Sequence, residues 1–151
     1  MAGTALLACK AYLVDTAMPT MFGTSVQVSY GLPPSYIGQD LVYVGDAQVQ
    51  EEMPVYGTPR PQEETIELSV VIKSSRRGNE GTAQRVASEA AMGLLTTLRD
   101  YFKVLGNETL GGACRQARVT SYQLSEDPPD QDTTQGRLAE IHVTITIRAR
   151  N

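Results

Sequence analysis

The sequence predicts an α+β fold, with an antiparallel or mixed sheet, two helices packed on one face and long extended loops. Apolar and polar residues alternate over residues 64–74 and again over 137–150, which is the period of a strand with one buried face. Between these strands, residues 82–105 carry apolar side chains at gaps of three and four, the period of one helical face. A single amphipathic helix cannot bury its own apolar face, so this helix requires the sheet that its neighbours supply.

The composition suits one α+β domain spanning residues 1–151, with 41% hydrophobic and 20% charged residues. A net charge of -4 argues against binding nucleic acid through bulk charge, since such domains usually present a basic face. Cys9 and Cys114 are too few for a disulfide framework, and we expect them to be reduced, intracellular and buried. No stretch approaches the roughly 18 apolar residues that a membrane span needs. The N-terminal residues lack the basic segment of a secretion signal.

The first elements are predicted to be a helix and a strand. Residues 3–18 predict a helix that ends at Pro19, because the residue before a proline disfavours helical backbone. Its apolar stripe consists of Leu6, Cys9, Leu13 and Ala17. Residues 24–31 then alternate between apolar and polar side chains and predict a strand.

Residues 41–50 predict one short strand, or two strands divided after Gly45 and Asp46. The stretch 46–63 is rich in proline and glutamate, a composition that a compact core does not favour. We therefore interpret 46–63 as an extended loop or exposed arm, and such long loops are usually functional.

The long helix over 82–105 is predicted to end at Gly106 and Asn107. Gly93 lies in its middle, where glycine costs roughly 1 kcal/mol relative to alanine, so we expect it to allow close approach of another backbone. The predicted buried face consists of Ala83, Val86, Ala90, Leu94, Leu98, Tyr101, Phe102 and Leu105.

Two strands and a loop complete the chain. Residues 114–129 predict a strand whose two faces separate less cleanly than those of its neighbours, and 125–136 predict a polar, acidic extended loop. The closing strand, 137–150, gives the strongest strand signal. It directs Ile141, Val143, Ile145 and Ile147 inward, and Glu140, His142, Thr144, Thr146 and Arg148 outward.

The sequence offers no convincing catalytic, cofactor-binding or metal-binding constellation. His142 is the only histidine, and in mid-strand a surface or cross-strand contact is far commoner than catalysis. One histidine and two cysteines distant in sequence make no zinc pattern. No nucleophile elbow of a hydrolase occurs either.

Charged groups are interpreted as solvated or as contacts with partners. Arg76 and Arg77 lie in a predicted turn without further basic residues nearby, which disfavours a phosphate site. The sequence has two acidic clusters, the second of which lacks the spacing of a calcium-binding loop. The first comprises Glu51, Glu52, Glu63 and Glu64, and the second Glu126, Asp127, Asp130 and Asp132.

Short segments follow one another in a particular order. A strand ends in Tyr30 and Gly31 with Pro33 just after it, and a hydrophobic segment ends in Val44, Gly45 and Asp46. The strand E-T-I-E-L-S-V-V-I, an R-R-G turn, a helix ending in L-R-D, a G-G turn and the closing strand G-R-L-A-E-I-H-V-T-I-T-I-R-A-R follow. In this order and spacing, nearly the whole chain resembles the tail terminator proteins of long-tailed (siphovirus-type) actinobacteriophages, whose fold is similar to the lambda-type tail terminator.

The resemblance implies a structural, non-enzymatic protein of the virion tail or neck, present in the host cytoplasm during assembly. Such proteins form a ring, typically a hexamer, at the head-proximal end of the tail tube. The ring ends polymerisation of the tail tube protein and joins the tail to the head connector or stopper protein. DNA passes through the lumen without specific binding, and neither a membrane nor a cofactor is implied.

Ring subunits need two complementary faces, and charged side chains on strand faces and turns suit them. We expect interface contacts from Glu67, Lys73, Arg76, Arg77, Glu140, His142, Arg148 and Arg150. The two acidic clusters are candidates for facing the lumen or a partner, because like charge keeps DNA from adhering.

Two alternatives stay open. The first is another neck or tail component, such as a tail completion protein, a head-tail stopper or a tube subunit. Of these, a tube subunit would polymerise into open-ended tubes. The second is a small enzyme or ligand-binding α+β domain, which predicts a concave pocket with convergent polar groups.

Overall fold

The computed structural model describes residues 4–31, 40–52, 63–76, 81–126 and 137–150. Five strands form one mixed sheet in the order β1-β2-β3-β5-β4. Strand β1 pairs with β2 in parallel, and the other neighbours are antiparallel, which confirms the predicted α+β class. The strands are β1 Gln27–Tyr30, β2 Asp40–Glu52, β3 Glu63–Arg76, β4 Gln116–Glu126 and β5 Arg137–Arg150.

The helical segments pack on one face of this sheet, as the sequence predicts. They are α1 Leu6–Tyr12, a π-helical turn Leu13–Ala17, α2 Met18–Phe22, α3 Gly81–Lys103 and a 3-10 segment Asn107–Gly112. Side chains from both helical regions join the inward side chains of β2, β3 and β5 in a single apolar core. Burial of this shared face is the main favourable contribution to folding.

Helical structure continues past Pro19 to Phe22, so the predicted end at Pro19 is wrong. The Met18 N–H bonds to the Leu13 carbonyl five residues back, which widens the helix into a π turn just before the proline. A widened turn relieves the clash between a proline ring and the preceding turn of helix. The chain leaves the helix at Gly23, whose φ of 74° suits glycine.

Two predicted extended loops are shorter than expected. Strand β2 runs on to Glu52, with a register shift between Val44 and Ala47, so residues 46–52 belong to the sheet. Residue Glu63 already belongs to β3, and residues 125–126 belong to β4. The remaining parts of both predicted loops, 53–62 and 127–136, lie outside the described residues.

The buried face of helix α3 coincides only in part with the predicted one, since Leu98 and Phe102 are buried as expected. Val86 and Leu105 are 45% and 93% exposed, whereas Leu95 is fully buried. The buried stripe is Gln84, Ala87, Ala91, Leu95, Leu98 and Phe102. Apolar residues occur on both sides of this helix, so helical spacing alone fits two stripes about one residue apart, and contact with the sheet decides between them.

Gly93 lies on the exposed side of α3, so the predicted close approach of another backbone is wrong. A Cβ at this position would meet nothing within 4 Å among the described residues.

We expect Gly93→Ala to raise the free energy of unfolding by roughly 0.5–1 kcal/mol, because alanine loses less backbone entropy in a helix. Chemical denaturation measures this change. Gly106→Ala is the control and should destabilise the protein, since Gly106 has a φ of 99°; a loss of stability in Gly93→Ala would contradict the assignment.

A bulge in β4 explains the mixed pattern of 114–129. The pairing with β5 shifts between Val119 and Ser121, which leaves Thr120 as the extra residue. Ala117 and Val119 face the helices before the bulge, and Tyr122 and Leu124 do so after it. The alternation therefore changes phase, and a strict period of two misassigns the second half of the strand.

Candidate subunit interface

The face of the sheet opposite the helices, called the outer face here, carries the predicted contact residues of β3 and β5. Because successive strand residues point to opposite sides, the buried Ile66 to Ile72 series places Glu67 and Lys73 outward. The same alternation in β5 places Glu140, His142 and Arg148 outward. In the described ranges no helix covers this face.

Towards the end of the outer face where β3 finishes and β5 begins, three of these side chains form one cluster. Lys73 Nζ lies 3.8 Å from Glu140 Oε2, and His142 Nε2 lies 2.6 Å from Glu140 Oε1. Lys73 Nζ also stands 5.8 Å from the centre of the Tyr43 ring. Lys73 and Glu140 are direct cross-strand partners, so the β3–β5 register itself produces the ion pair.

Beneath these polar groups the outer face has a small apolar floor. Val71 lies between Tyr43 and His142 in the register and is 4% exposed. Burial raises the pKa of Tyr43, and the nearby Glu140 carboxylate raises it further. The Tyr43 hydroxyl therefore stays neutral and available as a hydrogen-bond donor throughout the physiological range.

The predicted arginines lie in different settings. Arg76 belongs to β3 rather than to a turn, and its Nη1 lies 3.0 Å from Asp40 Oδ1 on β2. This half-buried pair ties the ends of two neighbouring strands together, so Arg76 has a partner within the subunit. Arg150 occupies the last position of β5, and Arg77 lies outside the described residues.

The first acidic cluster is divided by the fold. Glu64 is 2% exposed, so it does not face a lumen or a partner as expected. Its Oε1 accepts the backbone N–H of Ala5 at 2.6 Å and the hydroxyl of Thr4 at 3.2 Å, at the start of α1. A carboxylate there satisfies a helical N–H that lacks a helical partner and suits the helix dipole.

The other acidic residues lie at strand ends. Glu63 Oε1 lies 2.8 Å from Arg115 Nη1, while Glu51 is exposed on β2 and Glu52 ends that strand. Glu126 ends β4 and is exposed. Asp127, Asp130 and Asp132 lie outside the described residues.

Two surface depressions flank the start of β4. The first, of about 420 Å³, contains the Glu63–Arg115 pair together with Arg148 and Glu108. The second, of about 430 Å³, lies between the end of α3 and β4 and is lined by both apolar and basic side chains, among them Phe102, Leu105 and Arg118.

The structure also brings together the two cysteines, which are 105 positions apart in the sequence. Both are free and buried, as predicted. A hydrogen bond between the thiols raises the pKa of Cys9 and lowers that of Cys114. Because no motif connects the two positions, nothing in the sequence indicates this contact.

Within the described ranges, no three His, Cys, Asp or Glu side chains are grouped so as to hold a metal ion. None of the helices in those ranges has the length and apolar character of a membrane span.

No protein-family model matches the chain, and no curated protein matches it. Among solved structures, a chain of "Virion of native gene transfer agent (GTA) particle" is similar, with a TM-score of 0.52. The two chains share a fold. The similarity covers 95% of this chain and 92% of that chain at 12% sequence identity, so it concerns the fold alone, over nearly the full length of both.

Proposed function

We propose that this protein is a structural component of a phage-type virion. The observation that carries the proposal is the fold shared with a chain of a gene transfer agent virion over 95% of this chain. A fold on its own hosts many functions, so the surface of this chain has to support the same role.

The outer face supports a role in assembly. An open sheet face with cross-strand charges, such as Lys73 with Glu140, resembles the polar surface of interfaces between separately folded partners. Such charges contribute to specificity and to the rate of association more than to affinity. His142 contacts Glu140 on this open face, which suits a structural contact better than acid–base catalysis. We therefore propose a role without enzymatic activity.

Within the virion, we assign the protein to the head-proximal end of the tail tube as a terminator ring. The order and spacing of its segments, which resemble the tail terminators, support this finer assignment. The ring, hexameric by that resemblance, would end growth of the tail tube protein and receive the head connector or stopper protein. The exposed Glu126 is a candidate for facing the lumen, where a carboxylate would let DNA slide.

Electron microscopy of the purified protein, alone and with polymerising tail tube protein, tests this proposal. We expect closed rings from the protein alone, and tubes that stop growing once the protein is added. Open-ended tubes of this chain alone would identify it as a tube subunit instead. A monomer that leaves tube growth unchanged and binds a small molecule in one of the depressions would support the ligand-binding alternative.

A further inference from the structure

Apart from the outer edge of the short strand β1, two strand edges in the described part of the sheet have no described strand partner. Strand β1 pairs with β2 only from Leu41 to Val44, so residues 46–52 of β2 have no described partner on that side. At the other end of the sheet, β4 pairs with β5 alone. Free strand edges present unpaired N–H and C=O groups and are templates for pairing with another chain.

These two edges lie at the same position along the strand direction, because the same rows of aligned residues cross both of them. The register aligns Gln48 of β2 with Glu67, Thr146 and finally Arg118 of β4. The next row aligns Val49 with Ala117 in the same way. Strands β2 and β4 also run in opposite directions, because three antiparallel pairings separate them.

Side chains on the two edges are complementary. On the side of the helices, Ala47 and Val49 match Ala117 and Val119, so apolar positions would meet apolar positions. The register aligns Gln50 with Gln116, the first residue of β4, so the exposed Glu51 comes next to the position of Arg115, the residue before that strand.

The two edges also carry opposite charge. The β2 edge carries Asp46 and Glu51, both exposed, whereas Arg118 is exposed on β4. Arg99 and Lys103 add basic charge beside β4, in the depression between α3 and β4. Opposite charges on two different edges favour head-to-tail contact and disfavour contact between like edges.

We propose that residues 46–52 of β2 in one copy of this chain pair antiparallel with the start of β4 in the next copy, with Gln48 opposite Arg118. This inference rests on the proposed ring and identifies the contact that joins its subunits. A rotation about an axis parallel to the strands preserves both their height and their direction, so it brings these two edges together without any shift along the axis. Such a heterologous contact repeats around the axis and closes into a ring.

The bulge at Thr120 limits the length of this pairing. Thr120 Oγ1 lies 2.8 Å from Thr146 Oγ1 of β5, so the extra residue is held within its own subunit. A bulge interrupts the ladder of backbone hydrogen bonds and prevents the rest of an edge strand from pairing with another chain. The contact is therefore confined to the segment from Arg115 to Val119, opposite residues 47–51.

Cysteine crosslinking tests the register. Cα atoms of directly opposed antiparallel residues are about 4.5–5.5 Å apart, within the range that a disulfide spans. The double variant Gln48→Cys with Arg118→Cys is oxidised with diamide. Each pair of thiols loses two protons and two electrons to the oxidant and forms one S–S bond. The full-length protein is used, at a concentration at which microscopy shows rings.

The matched control is Gln48→Cys with Gln123→Cys, since Gln123 is exposed on the same strand but four rows of the ladder further along it, about 14 Å at 3.4 Å per row. We expect the Gln48/Arg118 variant to give a ladder of dimers, trimers and larger multiples, at least tenfold more abundant than in the control. Each single variant should stay monomeric in a denaturing gel.

The outcomes separate this inference from the proposed function. Rings without a ladder from the Gln48/Arg118 variant would overturn the inference and leave the ring function in place. Dimers from Arg118→Cys alone would also overturn it, because they would show β4 paired with β4. The absence of rings and of a ladder would contradict both proposals.

Discussion

Gly111→Ala is expected to lower the free energy of unfolding by about 3 kcal/mol, through strained backbone and a steric clash together. Gly111 has a φ of 69°, a left-handed conformation that an L side chain rarely adopts. A Cβ at this position would lie 2.5 Å from Cε2 of Tyr12, so the ring would have to move. Tyr12 packs against the core, as does Tyr101 of α3, so movement of the ring would disturb the junction between α1, α3 and the 3-10 segment.

The neighbouring glycine provides a matched control. Gly112 has a φ of 92°, but a Cβ there would meet nothing within 4 Å among the described residues. Gly112→Ala should therefore cost about 1–2 kcal/mol, the backbone strain alone. Unfolding by guanidinium chloride measures both variants. Combining Gly111→Ala with Tyr12→Ala should give a smaller loss than the sum of the single variants; equal losses for Gly111→Ala and Gly112→Ala would contradict the clash.

Leu95→Ala is expected to cost about 2–5 kcal/mol, the range for truncating a fully buried leucine. Leu95 lies in the buried stripe of α3 and belongs to the core shared with β3 and β5. Truncation would remove apolar contacts and leave a cavity that the rigid sheet cannot fill by collapsing.

Leu94→Ala is the control for Leu95→Ala, because it makes the same chemical change one position away. Leu94 is half-buried and only partly packed against the core, so its truncation should cost about 1 kcal/mol. Thermal or denaturant unfolding measures the difference between the two variants. A larger loss for Leu94→Ala would favour the helical face expected from the sequence over the face seen in the structure.

Periodicity predicted the strands and helices that make up the core, but not all of their details. The inward series Ile141 to Ile147 is buried as expected, because β5 is a central strand with one face against the helices. The face of α3 was assigned only in part: Leu98 and Phe102 are buried as expected, but Val86 and Leu94 lie beside the true stripe. Contact with the sheet settles such a choice, and single-sequence spacing does not contain that information.

Irregular backbone accounts for the other differences. The π turn before Pro19 and the bulges in β2 and β4 each insert or widen one position, which shifts the period of everything after them. Thr120 does not signal such an insertion, because threonine is common in regular strands. Gly45 and Asp46 do signal the break in β2, because both residue types are depleted in strands and the register shifts there. Tertiary pairing with β3 and β5 keeps these segments in the sheet despite the interruption.

Part of the candidate interface was predictable and part was not. The outward positions of Glu67, Lys73, Glu140 and His142 follow from alternation alone. The burial of Glu64 and the two free edges depend on strand order, because β1 covers only the first part of β2. Strand order is a property of the whole sheet. Two edges that are far apart in the sequence become complementary only when the register aligns them at the same position along the strands.

The mass of the purified protein in solution tests the central claim, that this chain uses its surface to assemble with copies of itself. Native mass spectrometry across a range of concentrations gives that mass directly. We expect a single closed species at an integral multiple of the 16.4 kDa subunit, six on the resemblance to tail terminators, with no larger multiples appearing as concentration rises. A species that stays at 16.4 kDa at every concentration would contradict the account.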